Sequence, residues 1–119
     1  MDRLEQKKMR RMRRKKHIRK TLSGVAERPR MTVYKSGRYL YVQAIDDLQG
    51  HTVVSASNIE RQLRKIKSNI AGGEQLGQVL AERLKEKKID AIVFDRNGYV
   101  YHGVVRSIAE AARKAGIRF

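Results

Sequence analysis

From Lys7 to Lys20 the chain reads KKMRRMRRKKHIRK, with only Met9, Met12, His17 and Ile18 between the cations. A guanidinium offers a planar fork of donors that fits two oxygens of one phosphate, and an ammonium adds a compact point charge. Arg10, Arg11, Arg13, Arg14, Lys15, Lys16 and Arg19 therefore make a phosphate-neutralising segment. Its affinity would come from released counterions and fall steeply with salt. Two further groups mix cations with aromatic rings. Arg28, Arg30, Lys35, Ser36, Arg38, Tyr39 and Tyr41 lie in and around a first hairpin, and Arg96, Tyr99, Tyr101 and His102 flank an Asn97-Gly98 turn. Tyrosines beside cations can stack unpaired bases and offer hydroxyls to a phosphate or a 2′-OH. For Tyr39 and Tyr41 the pattern leaves two readings open: such a platform, or the outer side of a strand packed on a helix.

A hydrolytic alternative rests on Asp46, Asp47 and Asp95, three carboxylates expected at strand ends that could hold two Mg²⁺ for phosphodiester cleavage. Turns favour Asp for its local hydrogen bonds, which accounts for the same residues without chemistry. His17, His51 and His102 have no metal-ligand spacing, and no thiolate ligand exists because the chain has no cysteine. No P-loop or GxGxxG occurs, and no nucleophile elbow puts Ser55, Ser57 or Ser107 beside His102. The expectation is binding without catalysis, cofactor, metal or small-molecule substrate.

Charge supports that expectation. The 119 residues carry 28 Lys and Arg against 12 Asp and Glu, a formal net charge of +16. Through Arg30 there are 13 cations and three acids, a net of +10, which leaves +6 for the other 89 residues. Such a field selects polyanionic partners and says nothing of fold. A nonspecific DNA-compacting protein would share it, and a merely solubilising tail is the bland reading of the first segment. No apolar run approaches the roughly 20 residues of a membrane span. The charged start lacks the apolar core of a secretory signal. An intracellular protein without membrane partners is expected.

The elements that must position these residues follow from periodicity. Residues 1–27 read as a basic extension, with like charges three and four apart opposing a helix, so disorder is expected when free and a helical or extended form on an RNA phosphate backbone. Thr21-Leu22-Ser23-Gly24 has linker chemistry, and Pro29 marks entry to a domain over 28–119. Met31–Lys35, Tyr39–Ile45 and Thr52–Ser57 predict a three-stranded antiparallel meander, with Leu40, Val42 and Ala44 on one side of the middle strand. Residues 58–73 read as a mobile basic loop with room for a helical turn, closed by Gly72-Gly73. Leu76, Val79, Leu80 and Leu84 predict a helix from Glu74. Ala91–Phe94, apolar on both sides, predicts an interior strand. A last helix carries Val104, Ile108, Ala111, Ala112 and Ala115 on one face and ends at Gly116.

Two stretches carry a resemblance. Arg28-Pro29-Arg30, Tyr34-Lys35-Ser36-Gly37-Arg38-Tyr39-Leu40-Tyr41-Val42-Gln43 and Ile45-Asp46-Asp47 resemble the first hairpin of the bacterial large-subunit ribosomal protein L18 family. Residues Phe94 to Gly103, with Ala109-Glu110-Ala111-Ala112-Arg113-Lys114-Ala115-Gly116 and Phe119, resemble that family's C-terminal signature. The resemblance spans essentially the whole chain. It implies an α/β fold, a mixed sheet sandwiched by helices in a ribonuclease-H-like arrangement. It also implies a structural ribosomal protein of the cytoplasm that binds 5S rRNA and helps attach it to 23S rRNA in the central protuberance, beside neighbouring large-subunit proteins. Gly37 stands where that family commonly has a polar residue, and Lys88 where a glycine often ends the helix.

Overall fold

The computed structural model describes residues 2–19 and 23–119, with the side chains of residues 16–19 outside the described part. Of the expected linker, Thr21 and Leu22 also fall outside it. The described chain is α/β: a four-stranded mixed sheet flanked by helices.

Three antiparallel strands form the expected meander: β1 (Arg30–Lys35), β2 (Leu40–Asp46) and β3 (His51–Ser57). The Ser36–Arg38 turn closes the first hairpin, with Ser36 N–H donating to Tyr39 O at 2.9 Å. Alternation along β2 buries Leu40, Val42 and Ala44 and leaves Gln43 exposed, so one face of the sheet is apolar. That face meets α2 (Ile70–Glu86), and α3 (Gly103–Lys114) packs on α2 and adds Val105, Ile108 and Ala112 to the same core. Met31, Val33, Leu40, Val42, Leu76, Leu80, Leu84, Ile92, Val105 and Ile108 make up most of the core. Buried area of this kind is the main favourable term in folding.

The predicted interior strand is instead an edge. β4 (Val93–Asp95) pairs parallel to β1 and ends the order β3-β2-β1-β4. The apolar run has another cause. Just before β4, Ile92 N–H donates to Arg118 O and Arg118 N–H to Asp90 O, so the C-terminal segment covers the approach to the edge. Phe119 then packs on Phe94 with ring centroids 5.8 Å apart.

The second correction concerns residues 58–73. A short 3₁₀ turn at Arg61–Leu63 lies there, but the segment is held, not loose. Asn58 is buried; its amide donates to Arg38 O and Ile66 O, and its carbonyl accepts from Leu40 N–H. Arg83 clamps Glu60 with both terminal nitrogens at 2.9 Å, a pairing that lowers the Glu60 carboxyl below its ordinary value. Helix α2 begins at Ile70, with the Asn69 side chain accepting from Gly72 N–H. Gly72 and Gly73 are thus in its first turn. A Cβ on Gly73 would run into Ser107, and one on Gly77 would lie 2.6 Å from Ile108 O. These glycines are where α2 and α3 touch.

Both helices end in the same arrangement. Ile89 N–H reaches Leu84 O and Lys88 N–H reaches Lys85 O; Ile117 N–H reaches Ala112 O and Gly116 N–H reaches Arg113 O. The residue in the left-handed region is Gly116 after α3, as expected, and Lys88 after α2, with φ of +62°.

The basic N-terminal segment is helical, α1 spanning Arg3–Arg19, one of the two ordered forms expected of it on a phosphate backbone. Gly24 is not linker. Its N–H donates to the Asp47 carboxylate at 2.7 Å, and its carbonyl accepts from Asp47 N–H at 2.9 Å.

Candidate nucleic-acid interface

The loop after β4 is built from its turn outwards. Asn97 and Gly98 both have positive φ, as the dipeptide suggested, and Tyr99 N–H closes the turn on Arg96 O. Asn97 is buried, donates its backbone N–H to the Asp95 carboxylate at 2.8 Å and donates its side-chain amide to Val33 O at 2.9 Å. The turn is thereby bolted to β1. Tyr99 makes a second bolt: its hydroxyl donates to Lys35 O and accepts from Lys35 N–H, each at 3.1 Å. Arg96 donates to Tyr99 O at 2.7 Å.

Helix α1 docks on this loop. Arg14 Nε donates to Gly98 O at 2.8 Å, and the Arg11 guanidinium lies 4.1 Å from the centre of the Tyr99 ring. A cation over a tyrosine face is attracted by the ring quadrupole. Lys35 Nζ approaches the same ring at 5.8 Å. Leu4, Lys7, Lys8, Arg11 and Arg14, one face of α1 by their spacing, line a groove of about 1130 Å³ with the first turns of α2 and α3. Lys7 and Lys8 were absent from the expected site. The face is basic with a single leucine, so a search for apolar periodicity passes over it. Arg10 and Arg13 point away and are exposed. Lys15 is partly buried, and the side chains of Lys16 and Arg19 lie outside the described part.

The hairpin residues divide. Lys35, Arg38 and Tyr39 are exposed, while Ser36 serves the turn, its hydroxyl accepting from Tyr39 N–H. Arg38 and Tyr39 share a groove with Arg64 and Lys67, two cations from the held segment that sequence reading placed in a mobile loop. Tyr41 pairs with Tyr34, ring centroids 5.7 Å apart, on the sheet face opposite α2 and α3. Tyr41 thus lies on the outer side of a strand packed on helices, a position that both readings of it share. Tyr101 is partly exposed and sits edge-on to Phe94; His102 is exposed and precedes α3 without capping it through its side chain. Arg28 is exposed and donates to Ile92 O at 3.3 Å.

Arg30 must be withdrawn from the RNA-facing set. It is 8 % exposed, and all three guanidinium nitrogens donate to carboxylates: Nε and Nη2 to Asp47 at 3.0 and 3.1 Å, Nη1 to Asp95 at 2.6 Å. The hydrogen bond to Asp47, opposed by burial and assisted by Asp95, holds the guanidinium above its already high ordinary value. The same bonds explain the aspartates. Asp47 and Asp95 neutralise Arg30, and Asp46 accepts from Leu48 N–H and Gln49 N–H within its turn. The nuclease alternative loses its ligands to structure.

A cation-rich helix, a tyrosine loop and a basic hairpin tip, on a mixed sheet, can be compared with known proteins. The family described as "Ribosomal L18 of archaea, bacteria, mitoch. and chloroplast" matches residues 5–119. The chain belongs to the ribosomal L18 family. Among relatives named "Large ribosomal subunit protein uL18", the Treponema denticola protein is 53 % identical over 109 residues, 92 % of this chain and 91 % of its own. The Treponema pallidum protein is 50 % identical over 113 residues, covering 95 % and 94 %. The Borrelia hermsii protein is 51 % identical over 118 residues, covering 98 % of each. Membership of the L18 family makes this a ribosomal protein with a structural, non-enzymatic role. It also bears out the resemblance read from the hairpin and the C-terminal signature.

Proposed function

We propose that this chain binds 5S rRNA in the large ribosomal subunit of the cytoplasm and helps attach it to 23S rRNA in the central protuberance. The observation that carries the reading is the docking of α1 through Arg11 and Arg14 onto Gly98 and Tyr99, which joins tail and loop into one basic face. Cations of the tail (Lys7, Lys8, Arg10, Arg11, Arg13, Arg14, Lys15, Lys16, Arg19) neutralise phosphates and supply affinity without sequence. Arg28, Lys35, Ser36, Arg38, Tyr39 and Tyr41 recognise RNA shape from the hairpin, and Arg96, Tyr99, Tyr101 and His102 form the second patch. Partner proteins of the large subunit cover what RNA leaves free. The names of the relatives support the subunit; the charge and the loop geometry support the RNA.

Depletion of the chain in cells tests the attachment. Large-subunit particles purified after depletion should contain 23S rRNA and lack 5S rRNA, and re-expression should restore it. Particles with a full complement of 5S rRNA would contradict the reading.

A further inference from the structure

The sheet face opposite α2 and α3 carries a small pocket of about 330 Å³ lined by Thr32, Tyr34, Tyr41, Gln43 and Asn97. Cross-strand register builds it, since Thr32 pairs with Gln43 and Tyr34 with Tyr41. The two tyrosine rings are tilted 57° to each other, an open jaw instead of a closed stack. Tyr34 is 49 % exposed at its outer edge. At the floor the situation reverses. Thr32 is 9 % exposed, and its hydroxyl has no hydrogen-bond partner among the described residues. A buried hydroxyl without a partner is uncommon in a folded protein and asks for one. Gln43, exposed directly beside it, offers a carbonyl acceptor and an amide donor.

Aromatic rings at the rim with mixed donors and acceptors at the floor match what a splayed-out base presents: a π face and a polar edge. A phosphate would find no cation among the five lining residues. A peptide strand would need a free sheet edge, whereas this pocket lies over the paired strands β1 and β2. We propose that the pocket receives one unstacked nucleobase of the bound RNA, stacked against Tyr34 and Tyr41, with Thr32 and Gln43 reading its edge. The proposal rests on the RNA-binding reading above and adds a place where sequence is read. The Thr32 hydroxyl is closed off from the surface, so a base reaches it only after a side-chain rearrangement at the pocket, of the kind that exposed side chains make readily.

The test uses the full chain, 5S rRNA and base-specific chemical probing with dimethyl sulfate and a carbodiimide. The wild-type protein should protect one unpaired base that Thr32→Val and Gln43→Leu leave reactive. The double variant should bind about tenfold more weakly with an unchanged salt slope, since hydrogen bonds and not phosphate contacts are lost. Thr32→Val should melt at or above the wild-type temperature, because it removes a hydroxyl without a partner. Equal protection and affinity in wild type and variants would overturn the pocket while leaving the RNA-binding reading intact. A lowered melting temperature with unchanged binding would make the hydroxyl structural and overturn it too. A wild-type protein that fails to prefer 5S rRNA would overturn the parent reading itself.

Discussion

The guanidinium of Arg11 lies 4.1 Å from the centre of the Tyr99 ring, and three residues on Arg14 donates to Gly98 O. The N-terminal helix and the loop after β4 are therefore one surface. Gly98 is needed twice: its φ is +77°, and a Cβ there would strike the Arg11 backbone. Gly98→Ala should cost about 1–2 kcal/mol from left-handed strain and should also release α1. Limited proteolysis should then cleave within residues 3–19 faster than in wild type while the remaining domain resists; unchanged cleavage would mean that docking does not depend on this contact.

Removing residues 1–20 deletes 11 of the 28 cations. If about half of these neutralise phosphates, the slope of log K against log salt should flatten by about 4–6. Affinity for 5S rRNA and for transfer RNA should fall together, because phosphate contacts carry little sequence. A loss confined to 5S rRNA would show that the tail reads its target.

Arg30 sits between Asp47 and Asp95, tying the start of β1 to the β2–β3 turn and to the end of β4. Arg30→Met should destabilise the fold by about 3–5 kcal/mol, since it removes the guanidinium that donates to the fully buried Asp95 carboxylate at 2.6 Å. Chemical denaturation measures this. A loss below 1 kcal/mol would mean that Asp95 is satisfied by its other contacts.

Much of this was legible beforehand. Alternation in β2 and the 3.6-residue period of α3 both survive in the structure, because each element buries one face against the same core. What escaped detection was set by tertiary contact. Gly72 and Gly73 looked like loop residues, yet they are small because the Lys67 backbone presses against Gly72 and Ser107 with its neighbours against Gly73. Arg30 looked like an RNA contact, since nothing local shows that Asp47 and Asp95, 17 and 65 residues away, converge on it. The docking face of α1 is made of cations, so no hydrophobic pattern marked it.

Lys88 and Gly116 occupy the same position after α2 and α3, and only Lys88 bears a side chain at positive φ. Lys88→Gly should therefore raise stability by about 0.5–1 kcal/mol, the relief of left-handed strain being partly offset by a more flexible unfolded chain. Thermal melting checks the sign; a lower melting temperature would show that the lysine side chain makes a compensating contact.

A salt-titrated binding assay on labelled 5S rRNA, with transfer RNA and duplex DNA as competitors in the presence of Mg²⁺, tests the central claim most directly. A shape-recognising face predicts that binding to intact 5S rRNA persists against a large excess of either competitor. Displacement by transfer RNA or DNA as readily as by 5S rRNA itself would reduce the chain to a basic polyanion binder and contradict the account.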